Sequence, residues 1–150
     1  MKNMVRHDIS KMSDLAALAH ELATSLHGGE VLGLIGTLGA GKTTFVQLLA
    51  AELGVAVEVK SPTFVLVREY PTGQDAIRRG IRCLVHADAY RLEDEAELWG
   101  IGFDELASSP DAVTAVEWAD RIPGLARYPS YRELRFGFDE RGGRFVEVED

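Results

Sequence analysis

One glycine-rich segment combines the residue types that bind nucleotide phosphates. Residues 36–43, Gly-Thr-Leu-Gly-Ala-Gly-Lys-Thr, fit the P-loop pattern G-x-x-x-x-G-K-[ST]. In that pattern backbone N–H groups point at phosphate oxygens, and the dipole of the following helix adds to the attraction. We expect Lys42 to reach the β- and γ-phosphates, Thr43 to ligate Mg²⁺ and Thr44 to bond the α-phosphate. The predicted nucleotide-binding residues are Gly36, Leu38, Gly39, Ala40, Gly41, Lys42, Thr43 and Thr44.

The alternative is a glycine-rich turn that contains an incidental lysine. A chance match to the pattern in a chain of 150 residues is on the order of 0.5%. The context also favours a P-loop, since the apolar run 31–35 precedes the segment and a helical pattern follows from Lys42.

Two apolar runs end in a carboxylate, which a P-loop enzyme needs to hold Mg²⁺ or its water. Residues 83–88 end in Asp88, and residues 112–117 end in Glu117. Pattern alone does not rank the two carboxylates. A solvated strand end is the structural alternative for each of them.

A loop with two hydroxyl groups follows the predicted P-loop helix. Ser61 and Thr63 flank Pro62, which biases the residue before it away from helix. Hydroxyls at this point are suited to sensing the γ-phosphate, as switch loops do. A plain turn is the alternative.

Two further polar groupings admit both a structural and a functional interpretation. His86, Asp88 and Tyr90 alternate, so in a strand they share one face. They indicate either the edge of a site or a hydrogen-bonded structural cluster.

The connection 71–82 holds three arginines, at positions 78, 79 and 82. We predict a solvated loop there, with a lid or partner contact as the second possibility.

Local patterning predicts the elements that position these residues. A helix with Ser13 as its N-cap is expected to end at Gly28-Gly29, and a second helix runs from Lys42 to Leu53. The acidic stretch 94–107 is helical and broken at Gly100 and Gly102, and 121–130 is an irregular loop. Strands are predicted at 4–9, 31–35, 57–59, 63–70, 81–89 and 112–117, with a closing β-hairpin around 139–143. The fold class is α/β: a three-layer P-loop NTPase-like domain with a central mixed, largely parallel sheet, helices on both faces and a C-terminal β-hairpin.

Length and composition restrict the function further. The 150 residues suit one domain over 1–150, and 16 basic against 24 acidic residues give a net charge of −8. That charge disfavours a protein that grips nucleic acid by itself. Cys83 is the only cysteine, and neither a membrane span nor a signal sequence is apparent, so we expect a soluble, cytoplasmic protein. Guanine-specific GTPases normally carry an Asn/Thr-Lys-x-Asp element. No lysine of this sequence is followed by Asp two residues later, which disfavours that class of protein.

In this ordered set of motifs the sequence resembles the TsaE (YjeE) family of bacterial P-loop ATPases, which serve tRNA threonylcarbamoyladenosine (t6A) synthesis. The resemblance covers roughly residues 10–138. It rests on the segment 38–45, on Lys60-Ser61-Pro62-Thr63-Phe64 with Leu66-Val67, on His86-x-Asp88-x-Tyr90-Arg91-Leu92, on Leu98-x-Gly100-Ile101 and on Val116-Glu117-Trp118.

The resemblance implies a Mg²⁺-dependent ATPase. It implies that Lys42 and the backbone of 39–44 hold the ATP phosphates. It also implies that Thr43 and Glu117 hold Mg²⁺, which would make Glu117 the Walker-B-like acid.

The resemblance extends to catalysis and to partners. It implies that Asp88 acts near the γ-phosphate, that Ser61 to Thr63 form a switch-like loop and that Trp118 is functional. The partner it implies is the TsaB–TsaD pair, which would carry most of the tRNA contact, while ATP hydrolysis supports repeated turnover. The alternatives are a stand-alone small-molecule kinase, whose Arg-bearing lid would be the 71–82 segment, and an ATP-binding scaffold that never hydrolyses.

Overall fold

A computed structural model of the chain describes residues 3–60 and 66–149. Within them, seven strands form one sheet in the order β1-β7-β6-β2-β5-β4-β3. The strands are β1 Met4–Asp8, β2 Val31–Ile35, β3 Val67–Pro71, β4 Cys83–Asp88, β5 Ala112–Glu117, β6 Tyr131–Phe138 and β7 Arg144–Glu149. The helices are α1 Met12–Ser25, α2 Lys42–Glu52, α3 Gln74–Arg78, α4 Ala96–Gly100 and α5 Phe103–Ala107, with 3₁₀ turns at Ala119–Arg121 and Pro123–Arg127.

The sheet is mixed, with a parallel centre. Strands β6, β2, β5 and β4 are parallel neighbours. Strand β7 is antiparallel to both β6 and β1, and β3 is antiparallel to β4. Five of the seven strands therefore run in one direction. The predicted α/β class, the largely parallel sheet and the C-terminal hairpin of β6 and β7 are confirmed.

The two faces of the sheet pack against different helices. Leu32 and Leu34 of β2 join α1 and α2 in one buried cluster. Val31, on the opposite face, joins α4 and α5 in a second cluster. Successive side chains of a strand point to opposite faces, so alternation alone divides the core into two layers. The helices on both faces complete the predicted three layers.

Helix α1 starts one residue earlier than Ser13, so the predicted N-cap is wrong. The helix begins at Met12, and the Asp14 carboxylate accepts the backbone N–H of Lys11 at 3.2 Å. An acid in the first turn therefore satisfies one of the N–H groups left over at the helix start. Leu15, Leu18 and Leu22, which follow one another at helical spacing, are buried in the cluster that this helix shares with α2.

Other local predictions also need correction. Residues 57–59 form no strand; the Gln47 amide donates to the Val59 carbonyl at 2.9 Å. The 71–82 connection is no simple loop, since it contains α3. This helix has only five residues, too few for a hydrophobic period to reveal it in the sequence. The segment 121–130 likewise contains 3₁₀ turns.

Arg79 is a structural anchor between two elements. Its Nη2 atom donates to the carbonyls of Ala23 and Leu26, both at 2.6 Å. The last carbonyls of a helix have no partner inside the helix, and a cation there also complements the helix dipole. Arg79 thus ties the connection after α3 to the C-terminus of α1.

We expect Arg79→Ala to lower the free energy of unfolding by about 1–2 kcal/mol, because two charge-assisted hydrogen bonds are lost. Chemical denaturation measures this change. Arg78→Ala is the matched control: Arg78 pairs at 2.8 Å with Asp75 on an exposed surface, and we expect a change below about 0.5 kcal/mol. Equal effects of the two substitutions would contradict the assignment.

Candidate active site

A cavity of about 450 Å³ lies where β2, β4 and β5 end and α2 begins. Ligands of open α/β sheets bind at the carboxyl ends of the strands, so the location is the expected one. The cavity is lined by Leu38, Gly39, Gly41, Lys42, Thr43, Thr44, Leu66, Asp88, Tyr90, Arg91, Glu117, Trp118 and Arg144.

The glycines of the loop between β2 and α2 are required by its shape. Gly36 passes so close to β6 that a Cβ atom there would lie 2.6 Å from the Phe136 carbonyl oxygen. Gly41 is the N-cap of α2 and has φ 113°, a backbone conformation that is sterically unfavourable for any residue with a Cβ atom. The loop can therefore wrap around the start of α2 with its backbone turned toward the cavity.

Lys42 lies folded back onto this loop. Its ammonium donates to the carbonyls of Gly36 at 2.6 Å and Thr37 at 3.0 Å. The residue is 4% exposed. Burial lowers the pKa of Lys42, while the negative charge of Glu117, followed by those of Asp88 and Asp120, opposes that shift. Its ammonium is thus a desolvated cation held by two carbonyls, and a phosphate could replace them as its partner.

Glu117 connects the P-loop helix to strand β4. One carboxylate oxygen accepts the hydroxyl of Thr43 at 2.7 Å, and the other contacts His86 Nε2 at 2.6 Å. The residue is 3% exposed. The register of the sheet produces these contacts, because Glu117 is paired with Leu34 at the end of β2 and with Asp88 at the end of β4.

Asp88 lies beside Glu117 at the mouth of the cavity. One of its oxygens accepts the backbone N–H of Tyr90 at 2.9 Å, which fixes the turn after β4. The two carboxylates that the sequence could not rank thus occupy the same cavity in different environments. Glu117 is buried and bonded to Thr43, whereas Asp88 is half-buried.

Trp118 adopts a strained backbone and stands over the lysine. It is the only non-glycine residue with positive φ among the described residues, at 59°, and such a conformation costs about 1–3 kcal/mol. Its ring centroid lies 4.3 Å from Lys42 Nζ and 5.0 Å from the ring of Tyr90. The guanidinium of Arg121 lies 5.8 Å from both rings. The turn after β5 therefore brings an aromatic wall to the P-loop.

The structure brings together most of the predicted site residues. Two of the P-loop residues predicted to bind nucleotide do not line the cavity: Gly36 contributes a carbonyl to Lys42, and Ala40 is buried in the core. Ser61 and Thr63 lie outside the described residues. Two cavity-lining arginines were missed, Arg91 and Arg144. Arg91 directly follows the His-x-Asp-x-Tyr motif and could have been proposed, but nothing local marks Arg144.

Comparison with known proteins decides the family. The model of the family described as "Threonylcarbamoyl adenosine biosynthesis protein TsaE" matches residues 9–144. The chain belongs to the TsaE family. The resemblance drawn from the motifs is thereby confirmed.

Relatives and a solved structure agree with TsaE membership. The chain is 44% identical over 110 residues to the tRNA threonylcarbamoyladenosine biosynthesis protein TsaE of Aquifex aeolicus, covering 72% of this chain and 71% of that protein. It is 42% identical over 134 residues to the protein of the same name from Bacillus subtilis, with 88% and 78% covered. The crystal structure of Bacillus subtilis YdiB superposes with a TM-score of 0.71 at 25% identity, covering 99% of this chain and 86% of that chain.

The described residues of this TsaE family member include no helix long and apolar enough to cross a membrane. Nor do they contain a group of three or more His, Cys, Asp or Glu side chains placed to hold a metal ion.

Proposed function

We propose that the protein binds ATP with Mg²⁺, hydrolyses it, and acts with the TsaB–TsaD pair to support t6A modification of tRNA. One observation carries the proposal: a P-loop lysine and hydroxyl share a cavity with two strand-end carboxylates. Family membership supplies the biological setting, since the relatives are named as t6A biosynthesis proteins.

The residues present fit a magnesium nucleotide. The Thr43 hydroxyl and the Glu117 carboxylate lie 2.7 Å apart and offer hard oxygen donors. Mg²⁺ is commonly held in this way by one or two protein oxygens, with phosphate oxygens and water completing its shell. Lys42 adds a desolvated positive charge beside them. When bound, the metal would neutralise charge on the β- and γ-phosphates.

Different residues of the cavity would bind the phosphates, position the Thr43 hydroxyl and orient the attacking water. Lys42 and the backbone N–H groups of 39–44 would bind and orient the phosphates. Glu117 would hold the Thr43 hydroxyl in place, and Asp88, at the mouth of the cavity, would orient the attacking water. The ring of Trp118 would shield Lys42 from bulk water on one side.

The net charge agrees with the partner that the family resemblance implies. A chain with a net charge of −8 is poorly suited to bind tRNA alone, so partner subunits would carry that contact. A protein that serves tRNA modification in this way works in the cytoplasm.

The alternative of a small-molecule kinase loses its main support. That hypothesis used the 71–82 segment as an Arg-bearing lid. However, Arg79 is bonded to the end of α1, Arg78 pairs with Asp75, and no residue of this segment lines the cavity. An ATPase that uses water as its acceptor needs no such lid.

ATP hydrolysis measured with and without the TsaB–TsaD pair tests the proposal. We expect weak Mg²⁺-dependent hydrolysis by the chain alone, a changed rate with the pair, and repeated t6A formation only when all components and ATP are present. Size-exclusion chromatography of the mixture measures the association. An unchanged rate together with no co-elution would overturn the partner proposal, and phosphoryl transfer to a metabolite would favour the kinase.

A further inference from the structure

His86 is a fully buried titratable residue of the described core that the proposed mechanism leaves unused. It lies in the middle of β4 with no solvent exposure, among apolar strand residues. Its Nε2 atom contacts Glu117 at 2.6 Å, and its Nδ1 atom has no hydrogen-bond partner among the described residues. Burying an imidazole costs free energy, and the single hydrogen bond of His86 offsets that cost only in part.

The contact joins a ring nitrogen to a carboxylate oxygen. An ionised carboxylate oxygen can only accept, so we assign the proton of this hydrogen bond to Nε2. Since His86 comes from β4, Thr43 from α2 and Glu117 from β5, the Glu117 carboxylate is held from both sides by separate elements.

We propose that His86 is a positioning residue for Glu117. By donating to one oxygen of that carboxylate, it holds the other toward Thr43, where the magnesium nucleotide of the proposed function would bind. Hydrogen bonds to a metal-binding carboxylate orient it, and their loss commonly weakens metal affinity by about 10–100-fold. This inference rests on the proposed function.

Packing alone does not account for a histidine here. Replacing both partners of a buried hydrogen bond by apolar groups of the same shape can be nearly neutral for stability, so a core site gains little from the imidazole itself. Thr114 is a second buried polar side chain with which His86 can be compared. It lies fully buried in β5, and its hydroxyl has no hydrogen-bond partner among the described residues. Its side chain lies on the strand face opposite to that of Glu117.

Four variants separate positioning from packing. His86→Leu removes the donor, and His86→Gln restores an amide nitrogen near the place of Nε2. His86→Asn carries its amide nearer to Nδ1 and does not reach Glu117. Thr114→Val is the matched control for a buried polar group on the neighbouring strand. Calorimetry would give the affinity for a non-hydrolysable ATP analogue, with MgCl₂ and with EDTA, beside the thermal midpoint of each variant.

In the wild type, Mg²⁺ is expected to raise the affinity for the analogue. We expect this gain to be about 10–100-fold smaller in His86→Leu and His86→Asn. It should stay within about threefold of wild type in His86→Gln and Thr114→Val. Affinity in EDTA should be equal in all of them. Equal Mg²⁺ gains in wild type and His86→Leu would overturn the inference alone. Loss of EDTA affinity and melting temperature in all His86 variants, His86→Gln included, would assign a structural role and overturn it too. A wild type without any Mg²⁺ gain would overturn the proposed metal site and the inference together.

Discussion

Replacing Lys42 with alanine is expected to reduce ATP hydrolysis by about 10²–10³-fold and to weaken nucleotide binding. The ammonium is the one strong cation fixed inside the loop, and its desolvation makes its interaction with a phosphate stronger than in water. The truncated side chain also leaves the carbonyls of Gly36 and Thr37 without the ammonium to which they are bonded. Steady-state hydrolysis and calorimetric binding of an ATP analogue measure both effects.

Lys11→Ala is the control for charge. Lys11 is exposed and precedes α1, so its removal changes the net charge by the same amount. Hydrolysis should stay within about twofold of wild type in this variant, because exposed charges are screened by salt. If Lys42→Ala also retained wild-type binding, the cavity at the P-loop would not be the nucleotide site.

The fold was predictable where the pattern is local and the segment is buried. The runs 31–35 and 112–117 are largely apolar because both faces of a central parallel strand are covered. Helix α3 was not predictable, since five residues carry no clear period. Arg79 was not predictable either, because its partners lie 53 and 56 residues away on α1.

The site was predictable only in part for the same reason. A P-loop is contiguous in sequence, so its residues could be named at once. The different environments of Asp88 and Glu117 depend on the register between β4, β5 and β2, which no local pattern reveals. The alternation of His86, Asp88 and Tyr90 indicated one face, but Tyr90 lies beyond the end of β4, and its ring packs on Trp118. Asp88 and Tyr90 line the cavity, whereas His86 is hydrogen-bonded to Glu117 in the core.

Glu117→Gln is expected to lower hydrolysis by about 10²–10³-fold and to raise the Mg²⁺ concentration that the reaction needs. The amide is nearly isosteric and can still meet the Thr43 hydroxyl and His86 Nε2, so the fold should be retained. Only the charge that would hold the metal is lost, and metal stabilisation of a transition state is worth several kcal/mol. Hydrolysis as a function of MgCl₂ concentration measures both changes, and thermal unfolding confirms the fold.

Glu30→Gln is the matched control, because Glu30 is also a buried carboxylate. It accepts the N–H groups of His27 and Gly28 at the other end of β2. We expect this substitution to lower stability by about 1–2 kcal/mol and to leave the Mg²⁺ dependence unchanged. The opposite pattern, with Glu117→Gln hydrolysing ATP normally, would transfer the metal-holding function to Asp88, the other carboxylate in the cavity. The two variants therefore distinguish a loss of buried charge in general from the loss of the carboxylate that is bonded to the P-loop threonine.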